Sequence, residues 1–263
     1  MTRAIVKNMA TALALGALSI AIGCHSSTTP AVTAKTGDGG DHPAITVVLR
    51  WERVTKGRNF ARDEYANRIH NCKAAGWPVK ELSADEIAKL DTGQVELWVD
   101  ARGAYARETR WALGVIDKQS ALEDKGVCMA KLEEAVTEGE DDFSGRDAAT
   151  DAIDPAEQEA QAKVLGYQRI GIAQVGGQPC MRWRGKEQEV CEWSVGRAWG
   201  FDDGPATPGC ETQGPMDYLN PIPLEAKVAD GAPGCILQLR AMAVSKGQLQ
   251  EVGRALGAKG SGG

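Results

Sequence analysis

Histidine is scarce in this chain. His25, His42 and His70 are the only three among 263 residues, and none shares a metal-ligand spacing with another. No histidine-based metal centre and no cofactor is expected. His70 falls on a predicted helix and reads as an exposed surface residue. The nucleophile elbow G-x-S-x-G is missing. A Cys–His mechanism would have to use His70 and would leave an odd cysteine. Spacing along a chain does not reveal two carboxylates facing one sugar. No catalytic residue is therefore singled out, and a non-catalytic protein is expected. Positive charge is also short. Thirty Lys and Arg stand against 36 Asp and Glu, a net −6, which disfavours a nucleic-acid partner. The uncharged run Met9 to Ile22 is fourteen residues long, whereas a membrane-spanning helix needs about 20.

That run follows Arg3 and Lys7 and ends in Ala21-Ile22-Gly23-Cys24. A positive start, a short apolar core and a small-residue boundary are the marks of a secretory signal. The boundary resembles the lipobox of bacterial lipoproteins, with Ala21 where that family usually has Leu. The resemblance covers Met1 to Cys24 only. It implies lipidation of the Cys24 thiol, cleavage before Cys24 and acylation (palmitate) of the new amine. With His25 rather than Asp in second place, it implies the outer membrane, facing the periplasm. Several acyl chains, at about 0.8 kcal/mol per buried CH₂, give stable anchoring. Loss of Arg3 and Lys7 with the signal lowers the net charge by two, to −8.

Six further cysteines remain: Cys72, Cys128, Cys180, Cys191, Cys210 and Cys235. An even number in an oxidising compartment reads as a disulfide framework. An acidic segment divides two of them from the other four and favours Cys72–Cys128. Residues 24–43 read as a lipidated flexible tether, rich in Ser, Thr, Gly and Asp. Residues 44–137 read as an N-terminal half and 138–153 as an acidic linker. A C-terminal half with a disulfide hairpin would occupy 154–258, followed by a disordered tail at 259–263. Part of the linker, Glu140 to Asp151, resembles an EF-hand calcium loop. It lacks Asp at the first position and Glu at the twelfth, and is read as a solvated linker.

Local patterns give the elements. Ile45 to Val54 and Gln94 to Asp100 read as strands, as does Tyr105 to Asp117. Tyr65, Ile69 and Cys72 mark one face of a helix from Ala61 to Ala75, stopped by Gly76 and Pro78. Ser83 to Glu86, Ser120 to Glu123 and Ser245 to Gln248 have capping-box spacing. The second suggests a helix with a stripe of Leu122, Met129, Leu132 and Val136. The third suggests a last helix with Leu249, Val252 and Leu256 inside. Pro155 opens another helix, and Tyr167 to Val175 and Ile236 to Val244 alternate as strands. The expected fold is α+β, with small antiparallel sheets, packed helices and stabilising disulfides, arranged as one body or as two halves.

Gln178 to Val195 reads as a hairpin with Cys180 opposite Cys191. In that register Arg182 faces Glu189, Arg184 faces Glu187, and Gly185-Lys186 is a two-residue turn. Cys210 and Cys235 would close the Gly/Pro-rich stretch 200–232 onto the sheet. Seven Trp against three Phe suggest aromatic anchors. Trp51, Trp98 and Trp111 are assigned to the core. Arg182, Trp183, Trp193 and Trp199 are the candidate binding residues on or beside the hairpin, with core packing as the other reading of these three tryptophans. Arg-Trp recurs at residues 50, 110 and 182, with unequal spacing. Together these features suggest a lipid-anchored envelope module that binds another envelope protein in an inhibitory, immunity or assembly role. The alternative is a glycan- or peptidoglycan-binding or -acting protein.

Overall fold

The computed structural model describes residues 42–114, 117–119, 126–143, 155–201, 205, 210 and 214–245. In chain order the elements are β1 (Ala44–Thr55), α1 (Phe60–Ala74), β2 (Val79–Lys80), α2 (Ala84–Lys89), β3 (Thr92–Asp100) and β4 (Gly103–Leu113). Next come β5 (Asp117–Gln119), β6 (Gly126–Met129), β7 (Leu132–Asp142), α3 (Pro155–Val164), β8 (Gln168–Val175), β9 (Gln178–Arg184) and β10 (Gln188–Trp193). Two 3-10 turns, Ser194–Trp199 and Pro215–Tyr218, precede β11 (Pro223–Val228) and β12 (Pro233–Ser245). Among the described residues no helix is long and apolar enough to cross a membrane.

Nine strands form one antiparallel sheet in the order β7-β4-β3-β1-β12-β11-β10-β9-β8. Read from its far edge, this is an up-and-down meander opened between β12 and β1. The first and last described strands lie side by side at its centre, paired from Ala44↔Ser245 to Thr55↔Pro233 with a bulge at Val48/Leu49. This overturns the α+β expectation of small sheets in two halves. One mainly β sheet is shared by both parts of the chain, with three short helices beside it among the described residues. The parts cannot separate without breaking the central ladder.

Alternation explains which face is dry. Ile45, Val47, Leu49 and Trp51 point inward from β1 and join Val95, Leu97 and Val99 of β3 in the main core. Their neighbours Arg50, Gln94, Glu96 and Trp98 are only half-buried, as a strand's period of two requires. The connection from β10 to β11 covers the dry side. Ile222, Tyr218 and Leu219 are buried in it, and Met216 lies so close to Gly139 of β7 that a Cβ there would come within 2.5 Å of its Cγ. The described part of the stretch 200–232 is thus part lid and part strand, β11 having gone unseen in the sequence. A smaller core of Tyr65, Ile69, Leu82, Leu90 and Ala130 sits between α1, α2 and the small sheet β2-β6-β5.

Two predicted elements change type. The stripe ending in Leu132 and Val136 suggested a helix, but these residues lie in β7, and Met129 lies in β6. The linker expected from residue 138 begins as the last part of β7. As an edge strand β7 buries no face, so its sequence lacks the alternation that marks an inner strand. Backbone pairing with β4 along its length holds it. Leu122, Ser120, residues 144–153 and the expected last helix and tail lie outside the described residues.

All three disulfides have the expected pairing: Cys72–Cys128, Cys180–Cys191 and Cys210–Cys235. The hairpin register differs by two residues. Cys180 faces Trp193, Cys191 faces Arg182 and Arg184 faces Glu189. The turn moves by one residue: Gly185 N–H donates to the Gln188 carbonyl, leaving Lys186-Glu187 between them in place of Gly185-Lys186. A shift of two keeps every side chain on its own face, so the disulfide still forms, diagonally, at a Cα separation of 5.4 Å. Arg184 pairs with Glu189 at 2.7 Å, while Arg182 turns to Glu225 on β11 at 3.3 Å.

Candidate functional site

The structure does not assemble the four expected binding residues into one surface. Trp183 is 1% exposed and donates its indole N–H to Glu192, itself buried, at 2.9 Å. Trp193 is also 1% exposed and donates to Gln178 at 3.2 Å. Its ring stacks on half-buried Trp199 at 5.7 Å. Both buried tryptophans are core, because the lid and the neighbouring strands cover a hairpin that looked peripheral in the sequence. Arg182 is half-buried in a row with Glu225 and Lys227. Cys24 lies outside the described residues. Conversely, Trp98 and Trp111, assigned to the core, are half-buried on the open side of the sheet.

The three Arg-Trp dipeptides share one chemistry without a repeat. Trp51 donates to Glu108 at 2.8 Å, Trp111 to Glu134 at 2.9 Å, and Trp183 to Glu192. A buried indole needs an acceptor, and each takes a carboxylate. His42, expected in the tether, instead packs its ring against Phe143, Trp199 and Phe201. Burial holds its pKa below the usual value.

Three tyrosines are held in their neutral form. Burial first, and a hydrogen bond to Glu138 second, push Tyr105 up to about 12. Burial raises Tyr167 and Tyr218 as well. An unfolded tyrosine ionises near pH ~10, while the folded groups keep their protons to higher pH. Their contribution to stability is complete below that point and is lost as pH climbs from about 10 through about 12. The melting temperature should therefore fall across this window, together with the appearance of phenolate absorbance. A flat melting temperature throughout it would contradict these placements.

The two outer edges of the large sheet differ in chemistry. β7 carries Glu133, Glu134, Glu138, Glu140, Asp141 and Asp142, and charge of this kind blocks strand addition. β8 carries one charge, Arg169. Its described pairing is with β9 alone, and it is bulged between Arg169 and Gly171. Gly166, at φ +80°, turns the chain out of α3 into it. Around this corner Val164 is 88% exposed, Leu165 61% and Ile172 69%, with Ile170 also exposed. Branched apolar side chains beside a one-sided strand with a single charge are the features that protein partners use. The alternation of Tyr167 to Val175 is visible in the sequence, but its position at an edge is not, because that depends on eight other strands.

Among the described residues no group of three or more His, Cys, Asp and Glu is placed to hold a metal ion. The chain matches no protein-family model, and no curated protein is significantly similar to it.

Proposed function

We propose that this is a lipid-anchored cell-envelope binding module, held at Cys24 on the outer membrane and facing the periplasm, that binds another envelope protein. The observation that carries the reading is the β8 edge, uncharged but for Arg169 and flanked by exposed Val164, Leu165 and Ile172. The occupant is an extended segment of the partner, added as a tenth strand. Main-chain hydrogen bonds supply affinity and the apolar side chains supply specificity. The tether, reaching roughly 25 Å, lets the module search near the membrane.

The test places a photo-crosslinking side chain at Ile172 and, separately, at Val136 on the acidic edge, in the full chain in its native envelope. The expected result is a discrete adduct with a different protein from position 172 alone, reduced at least about tenfold by Ile172→Lys on the same edge, introduced with the probe at Gln174. A ladder of this chain's own multiples, or equal adducts from both edges, would refute the proposal. In parallel, Cys24→Ala should abolish lipid labelling and release the protein from membranes. Unchanged labelling would refute the anchor.

One observation favours a glycan reading instead. Trp98 and Tyr105 pair at 5.3 Å between ring centroids on the half-exposed face, beside Glu138. Aromatic platforms of this kind suit sugar rings. Binding to envelope glycan that is lost in Trp98→Ala and kept in Ile172→Lys would select that reading.

A further inference from the structure

α1 and α2 lean over the centre of the sheet and leave an open cleft of about 480 Å³ against β1 and β12. Its charged residues are Arg50, Glu52, Arg62 and Arg240. Arg62 is fully engaged. Its Nε and Nη2 donate to the Ile87 and Ala88 carbonyls at 3.1 and 2.8 Å, and its Nη1 meets Glu52 at 2.9 Å. Glu52 also accepts from Asn59 at 3.1 Å. This pair neutralises itself and, with the ends of α2, forms a fixed wall.

Arg50 and Arg240 are left over. Arg50 donates one bond, to the Ala88 carbonyl at 3.2 Å, which anchors its guanidinium and leaves its other donors available. Neither arginine has a carboxylate partner among the described residues. The β1–β12 register places Gln238 directly beside Arg50, and Arg240 follows two residues along the same strand. Two uncompensated cations and an amide therefore share one opening, on a chain whose net charge is −6. The remaining walls, Ala84, Ile87 and Ile236, are apolar.

We infer that this cleft binds a carboxylate carried on an aliphatic body, as at the C-terminal end of a peptide. The guanidinium fork matches a carboxylate with two parallel hydrogen bonds, Gln238 can add a third donor, and the isoleucines receive the aliphatic part. Inorganic phosphate meets the same guanidinium groups but carries no aliphatic part, so it leaves the apolar wall of Ile87 and Ile236 unused. The inference is independent of the β8 edge.

Isothermal titration of the full chain in detergent tests it with three probes: N-acetyl-leucine, N-acetyl-leucinamide and inorganic phosphate. N-acetyl-leucine should bind saturably, with a dissociation constant on the order of 1 mM, as befits so few atoms. The amide and phosphate should bind at least about tenfold more weakly. Arg240→Gln should weaken N-acetyl-leucine at least about tenfold with no change in melting temperature, because this exposed side chain holds nothing else in place. Arg50→Gln should weaken it too, and Ile172→Lys should not. No saturable binding, equal binding of the amide, tighter binding of phosphate, or unchanged affinity in both arginine variants would overturn the assignment.

Discussion

Reduction of the three disulfides should unfold this domain at temperatures that the oxidised protein tolerates. The bridges close sequence separations of 56, 11 and 25 residues. On the chain-entropy model these are worth about 4, 3 and 3.5 kcal/mol. A domain's whole stability is typically about 5–15 kcal/mol, so the bridges together are of the same size as the total. Position matters as well as loop length. Cys72–Cys128 ties α1 to β6 beside the smaller core, which contains only five buried residues. Cys210–Cys235 ties the lid to β12, so losing it loosens the cover over the dry face. At roughly 2–4 °C per kcal/mol for a chain of this size, full reduction should lower the melting temperature by roughly 20 °C or more. The Cys72→Ala/Cys128→Ala pair alone should account for about 8–16 °C. Calorimetry with and without reductant measures both. A melting temperature indifferent to reductant would mean that the sheet alone carries the fold.

What could be read in advance was local. Ser83 caps α2 through Glu86 as its spacing indicates, and α1, α3 and the inner strands follow their periodicities. The disulfide pairing was legible because cysteine order and charge order restrict the choices. The hairpin's turn position was not, because a turn at Gly185-Lys186 and one at Lys186-Glu187 keep the same faces inward. Trp51 is core as expected, but Trp98 and Trp111 were placed there too, for a related reason. Trp98 and Trp183 both sit in alternating strands, and which is buried depends on where the lid lies. The lid has no periodicity to announce it. The candidate surfaces are non-local in the same sense. Arg50 and Arg240 line one cleft only because the first and last described strands pair, and β8 is an edge only because the chain closes its meander at the centre.

The other large effect should come from a single buried carboxylate. Glu108 points inward from β4 and is fully buried. It accepts from the Trp51 indole at 2.8 Å and pairs with Arg110 at 2.5 Å. Arg110 also lies over the Trp51 ring, 5.9 Å from its centroid, and Gly93 exists to make room: a Cβ there would come within 2.3 Å of that ring. Charge, indole and glycine form one unit across β4, β3 and β1. Glu108→Ala removes the carboxylate that pairs with Arg110 and the acceptor of the Trp51 indole N–H. Breaking a buried pair in this way costs about 3–5 kcal/mol. Glu108→Gln keeps an acceptor for Trp51 and loses only the charge, so its cost should be smaller. The double variant Glu108→Leu/Arg110→Leu removes both charges together and should recover most of the loss, since paired burial of charge contributes little net stability. Urea denaturation of the oxidised protein would order the three variants. A cost below about 1 kcal/mol for Glu108→Ala would show that water reaches the site and solvates what the carboxylate had held.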